Sequence, residues 1–178
     1  MKYLLLFIST LCMAQRTPQY AAEKLYDAIY NIDIEGILAL SCLEITPENY
    51  DKLDQVFQNE DRKIRYSLTH AKYTIGEPKE IGGKSWRLIT YRNVLRITYF
   101  KKLSDEEVAS TKELLRQTYN AQSINYESNR NAYLIVYPAK LLAVSEGDMW
   151  KVVIADNTFL SDMFDICIPK EVKGAFGL

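Results

Sequence analysis

Near Lys63 the hydrophobic period of this chain changes from 3.6 to 2, and that switch restricts the fold more than any other feature. Before it, Ala21, Leu25, Ala28, Ile29 and Ile32 recur at helical spacing on one stripe. Thr17-Pro18 opens that stripe, because the Thr oxygen can accept an orphan helix N–H and Pro has none to satisfy. Asp33 can cap a second helix carrying Ile34, Ile37, Leu38 and Leu43. Thr46-Pro47 repeats the start signal for a third, with Tyr50, Leu53, Val56 and Phe57 on its inner side. After the switch, Ile64, Tyr66 and Leu68 alternate with Arg65, Ser67 and Thr69, the mark of a half-buried strand.

The rest of the chain stays mostly in the period of 2. Residues 76–83 form a turn region in which Gly82-Gly83 suits a hairpin loop. Trp86 and Leu88 lead back, and Leu95, Ile97 and Tyr99 belong to the next strand, with Arg96 and Thr98 on its other side. Ser104 and Glu107 make a capping box that opens a helix reaching about Tyr119. Its apolar stripe (Val108, Leu115, Tyr119) is thin, which predicts a surface helix. Strand signals return over residues 124–126, 133–137 and 149–155, the last with Trp150, Val152 and Ile154 facing one way. Pro138 cannot donate to a ladder and so predicts a bulge or an edge. A final helical segment, residues 159–176, is interrupted at Pro169. The class is α+β: N-terminal helices packed on a mostly antiparallel sheet, with one inserted helix and a C-terminal helical tail.

Residues 1–14 have the layout of a secretory signal peptide. Lys2 supplies the positive start, residues 3–11 the apolar run, and Cys12-Met13-Ala14 a small-x-small site, so cleavage is expected after Ala14. The apolar run is far below the ~20 residues that span a bilayer, and no transmembrane helix is expected. Lipid attachment at Cys12 is the rival, against which Leu11 stands where that processing favours a small residue. The expected location is secreted or periplasmic. Removing residues 1–14 from the 178 leaves 164, enough for a single domain over residues 15–178. Two cysteines remain, Cys42 and Cys167. An oxidising compartment permits them one disulfide, yet both lie in apolar helical patterns where a free Cys serves as a small buried hydrophobe.

Charge is sharply segregated. Residues 15–61 carry a balance of −7, residues 62–102 of +9 and residues 103–178 of −4. The near-neutral sum, together with the absence of any recognition motif, excludes a general nucleic-acid binder. Arg65, Arg87 and Arg96 each alternate with an apolar neighbour and are expected to share the outer sheet face. Arginine forks suit carboxylate, phosphate or sulfate, so that face could meet an acidic partner or an anionic glycan. The alternative is that these cations are solvated or meet the acidic helices of the chain itself.

Catalytic signals are sparse. His70, the single histidine, follows Ile64, Tyr66 and Leu68 in register and would point inward as a general base, or else sit satisfied at a strand end. With no second His and no ligand spacing between the cysteines, no metal or other cofactor is implied. No G-x-S-x-G elbow and no Gly-rich phosphate loop occurs. Asp33 and Asp156 are carboxylates that helix capping explains at least as well as chemistry. Tyrosine is abundant, 13 in all, and Tyr66, Tyr99, Tyr137 and Trp150 have a register that could turn them toward a pocket. Packing within the sheet core explains the same residues.

The stretch AIYNIDIEGILAL resembles the helix–Asp–helix opening of nuclear-transport-factor-2-like (cystatin-like) domains, and EGDMWKVV is similar to their acidic-Gly turn and Trp-bearing last strand. The resemblance covers most of residues 15–178 in element order; the inserted helix and the C-terminal tail depart from it. It implies a curved, cone-like sheet wrapped round helices, an apolar pocket for a small apolar ligand, and frequent homodimers formed through the sheet. The function expected is a secreted, non-catalytic binding or interaction module. The alternative is a small pocket enzyme, isomerase- or hydrolase-like, using His70 or an Asp as base. An open cavity holding such a base beside a Tyr hydroxyl would favour the enzyme, and a filled cone would count against it.

Overall fold

The computed structural model describes residues 17–67, 70–156, 158 and 160–178. Residues 1–16, on which the expected leader falls, and Leu68, Thr69, Asn157 and Phe159 lie outside the described residues. Among the described residues three helices come first. Helix α1 (Pro18–Asn31) starts where the Thr17 hydroxyl accepts the Tyr20 N–H at 3.2 Å, and it buries Ala21, Ala22, Leu25, Tyr26, Ala28 and Ile29. It ends at Ile32, whose φ of 56° places a β-branched residue in the left-handed region. Asp33 then accepts the Gly36 N–H at 3.0 Å and starts α2 (Ile34–Leu40). A Cβ at Gly36 would meet the Asp33 carboxylate at 2.3 Å, so the cap and the glycine depend on each other. Helix α3 (Pro47–Phe57) is capped by Thr46. It buries only Leu53 and Phe57 fully; Tyr50, expected inward, is exposed.

All seven strands are antiparallel to their neighbours. They are β1 (Arg62–Tyr66), β2 (Tyr73–Ile75), β3 (Lys79–Ile81), β4 (Lys84–Tyr99), β5 (Ser123–Glu127), β6 (Ala132–Glu146) and β7 (Met149–Ile154). The long β4 and β6 pair from Trp86↔Val144 to Thr98↔Ala132 and form the spine. Strands β1, β2 and β3 line the far edge of β4, while β5 and β7 line the far edge of β6. Two expectations are corrected here. The turn region over residues 76–83 contains β3, hydrogen-bonded to the start of β4 around Gly82-Gly83. The two strands read around Trp86 and Leu95 are one, because polar Thr90, Arg92 and Asn93 interrupt the apolar alternation without breaking the ladder.

On the inner face of the spine, Ile89, Tyr91, Asn93, Leu95 and Ile97 stand opposite Leu141, Ala139, Tyr137, Ile135 and Tyr133, and all ten are buried. Over residues 141–144 four consecutive side chains are buried, so both faces of the sheet are covered there. Helix α4 (Asp105–Tyr119), opened by the Ser104–Glu107 capping box, buries only Leu115 and Tyr119 completely, as a surface helix should. The tail comprises α5 (Ser161–Phe164), a 3₁₀ turn (Asp165–Cys167) and α6 (Lys170–Phe176), and it buries Leu160, Phe164, Ile168 and Val172. Cys42 and Cys167 are joined by a disulfide with Cα atoms 6.0 Å apart, which ties this tail to the chain after α2. Tertiary folding thus selects the bridge over two separate buried thiols. No helix among the described residues is long and apolar enough to cross a membrane.

Candidate functional site

Strand β6 is flanked on its outer edge by β5 as far as Val136 and by β7 from Leu141 onward, with a gap between them. Gln122 N–H to Val136 O at 2.8 Å and Ala155 N–H to Lys140 O at 3.0 Å are the bonds bordering that gap. Pro138 occupies it, in keeping with the local edge its missing N–H required. Asp156 enters from the end of β7 and accepts the Lys140 N–H through Oδ2 at 3.3 Å, in place of the next strand carbonyl. The expected cap, Asp156-Asn157 ahead of Phe159, falls partly outside the described residues; among them the Asp156 carboxylate bonds a strand amide. Asp33, by contrast, is the expected cap.

The gap opens into a cleft of about 260 Å³ whose lining includes Tyr119, Tyr137, Lys140, Asp156 and Thr158. Asp156 as a residue is partly exposed, but its Oδ1 is sealed from solvent and receives no well-formed hydrogen bond. Burial raises its acid from 3.8 to about 6; the Thr158 hydroxyl, the Lys140 amide and, from further off, the Lys140 charge pull the other way. The negative charge of Asp156 is felt by Tyr66, Tyr91, Tyr119 and Tyr137, whose hydroxyls burial keeps protonated well above their ordinary range.

Behind the cleft lies a buried polar relay. The Asn93 side chain accepts from the Tyr26 hydroxyl at 3.2 Å and donates to the Tyr137 hydroxyl at 2.8 Å, and its oxygen also takes the Val94 N–H at 2.8 Å. Rings pack edge to face around it, Tyr26 against Tyr66 and Tyr91 at 5.8 Å each, and Tyr119 against Tyr137 at 5.0 Å. Between the helices and the sheet the described residues leave a void of about 10 Å³, lined by Phe57, Ile64, Tyr66, Leu95 and Leu160 among others, about one water's worth of probe space. Among the described residues the expected apolar cavity is therefore corrected to a side cleft, because Leu160 of the tail and Tyr66 pack into that space.

Of the pocket candidates, the structure brings together Tyr66 and Tyr137. His70 is exposed, so its inward placement is corrected: the strand ends at Tyr66 and the register does not carry on to it. Tyr99 is half-buried against Tyr133, beside a shallow groove with Arg62 and Glu107. Trp150 is half-buried opposite Ser145, at the far end of the sheet. Tyr26, Tyr91, Asn93 and Tyr119 were not singled out from the sequence. The one legible signal was Asn93, an amide interrupting the inward row of Ile89, Tyr91, Leu95 and Ile97.

The basic face is likewise corrected. Arg65 and Arg96 are direct cross-strand partners, but Arg87 lies nine positions from Arg96 in an unbroken ladder and so on the opposite face. Their guanidinium groups are used within the chain. Arg65 donates to Phe57 O and Ile64 O at 3.2 and 2.7 Å, satisfying the end of α3. Arg87 donates to Gly76 O at 3.2 Å, and Arg96 forms a fork with Glu127 at 3.1 and 3.4 Å.

Larger clefts, about 320 and 730 Å³, flank the disulfide. Their charges sit at the rims, where Lys84 and Lys151 both pair with Glu146 at 3.7 and 3.4 Å, and neither cleft has a sealed, unmet polar group. Among the described residues no cluster of three potential metal ligands occurs. No protein-family model, curated protein or solved structure matches this chain, and its functional reading rests on the chemistry of these residues.

Proposed function

We propose that the chain is an exported, non-catalytic binding module of nuclear-transport-factor-2-like build, and that its ligand site is the cleft at the β6 gap. One observation carries the reading: a desolvated carboxylate, Asp156, with no cationic side chain paired to it among the described residues, lining a cleft beside Tyr119 and Tyr137. Burying an acid at the cost of its own ionisation lowers stability, and such groups concentrate at functional sites. Export is supported by the leader sequence and by the Cys42–Cys167 bridge, a bond that persists in oxidising compartments. A pocket enzyme has less support, because the volume such an enzyme would use is filled and His70 faces solvent. An anionic partner on the outer sheet also loses ground, since Arg65, Arg87 and Arg96 bond within the chain.

Screening small fragments against the mature chain by ¹H–¹⁵N spectra tests the site. Hits are expected to shift the amides of Tyr119, Asn120, Lys140 and Ala155. Hits confined to the clefts beside the disulfide would overturn the assignment.

A further inference from the structure

We propose that this cleft takes a small organic cation, a primary amine carried on an apolar body, with Asp156 as its counter-ion. The inference rests on the preceding reading of the cleft as the ligand site. Three observations converge on positive charge. Asp156 forms no ion pair among the described residues; Lys140 touches it through the backbone N–H and acts on it by charge only from a distance. A buried carboxylate without a counter-charge is costly, and a ligand ammonium supplies one.

The cleft wall also includes Gln117, Thr118, Tyr119 and Asn120, the last turn and cap of the 15-residue helix α4. A helix C-terminus carries partial negative charge, which adds to that of the carboxylate. Tyr119 and Tyr137 bring aromatic rings to the same place, and ring faces attract ammonium groups. The volume of about 260 Å³ lies just below the usual range for ligand sites, which suits a small molecule.

The groups facing Asp156 are Lys140 and Tyr137 from β6, Tyr66 from β1, Tyr91 from β4, Tyr119 from α4, and Thr158. The tyrosines are neutral at physiological pH, as ordinary phenols are, and burial raises them further; among the described side chains lining the cleft, with Gly177 and Leu178 also on its wall, Asp156 and Lys140 carry the charge. Among the described residues Lys140 is the single cationic side chain lining the cleft, and it competes with a ligand amine. Its removal should therefore strengthen amine binding.

Three probes of one shape and different charge test the proposal on the intact mature chain: benzylamine, benzyl alcohol and benzoate, titrated at pH 7.5 and followed by amide shifts. Benzylamine is expected to saturate shifts at Tyr119, Asn120, Lys140 and Ala155, with benzyl alcohol at least tenfold weaker and benzoate silent. Asp156→Asn should weaken benzylamine at least tenfold, and Lys140→Gln should tighten it. Repeating the titration at pH 5.0 should weaken benzylamine several-fold, because Asp156 must give up its proton before it can pair. Equal binding of alcohol and amine at these amides, or a preference for benzoate that Lys140→Gln abolishes, would overturn the cation assignment while leaving the site in place. If none of the three probes shifts these amides, the cleft itself is not the ligand site and both readings fall.

Discussion

Asp156 is held where its ionised form is poorly solvated, and the consequence for stability has a definite sign. An ordinary Asp titrates at 3.8 and Asp156 in the fold at about 6, so between those values the folded chain holds a proton the unfolded chain has released. The stability this gives is fully present below about pH 4, falls as pH rises through that window, and is level above about pH 6. Asp156→Asn keeps an oxygen for the Lys140 N–H and removes the charge. The variant should be more stable than the parent by roughly 2–3 kcal/mol at pH 8 and equal to it at pH 4, measured by urea unfolding. A gain of the same size at both pH values would mean that charge is not the cause. Asn93 makes the opposite case. Asn93→Leu removes the amide that accepts from the Tyr26 hydroxyl and donates to the Tyr137 hydroxyl, and should cost about 1–3 kcal/mol, read from the denaturation midpoint. At this scale the sequence revealed little, because both residues owe their roles to neighbours far away in the chain. Tyr26 reaches Asn93 across 67 positions, and no local pattern reports such a contact.

Elements were far more legible. Thr17, Asp33, Thr46 and Ser104 each cap the helix they precede, since capping chemistry operates within three residues and needs no tertiary partner. Ser104→Ala removes one half of the capping box on a helix with few buried residues to hold it. A loss of about 1 kcal/mol is expected, with faster amide exchange in the first turn of α4. An unchanged exchange pattern there would count against this account of how α4 starts. Strands were harder to bound. Where both faces are covered, as over residues 141–144, alternation disappears, and where polar residues line the inner face, as at Asn93, it is interrupted. Arg87 shows the effect: its apolar neighbours Trp86 and Leu88 look like an inner row, but the long ladder places them on the face opposite Ile89.

For the molecule as a whole, the Cys42–Cys167 bridge closes a loop of 125 positions and holds the C-terminal tail against the sheet. By the loop-entropy argument, replacing both cysteines with Ser should cost roughly 3–5 kcal/mol, with a lower thermal midpoint and an unchanged one when the parent is compared before and after mild oxidant treatment. If reduction leaves the parent's midpoint in place, the bridge does not stabilise the fold. Export supplies a second whole-molecule expectation. Intact mass of the mature protein should correspond to residues 15–178 with Cys42 and Cys167 oxidised; a mass retaining Cys12 with added lipid would replace secretion by lipid anchoring.

The period switch at Lys63, the caps and the turn glycines determined the α+β class and the order of its elements by themselves, because each acts over a few residues of backbone. Tertiary structure decided what those elements enclose. Leu160 and the tyrosine rings pack between the helices and the sheet, Arg65 and Arg96 turn to partners inside the chain, and β5 and β7, both much shorter than β6, leave a gap on it where Asp156 settles. A carboxylate's ionisation depends on the solvent it loses, and the tyrosines close enough to feel the charge of Asp156 come from β1, β4, β6 and α4. Only folding brings those strands and that helix together.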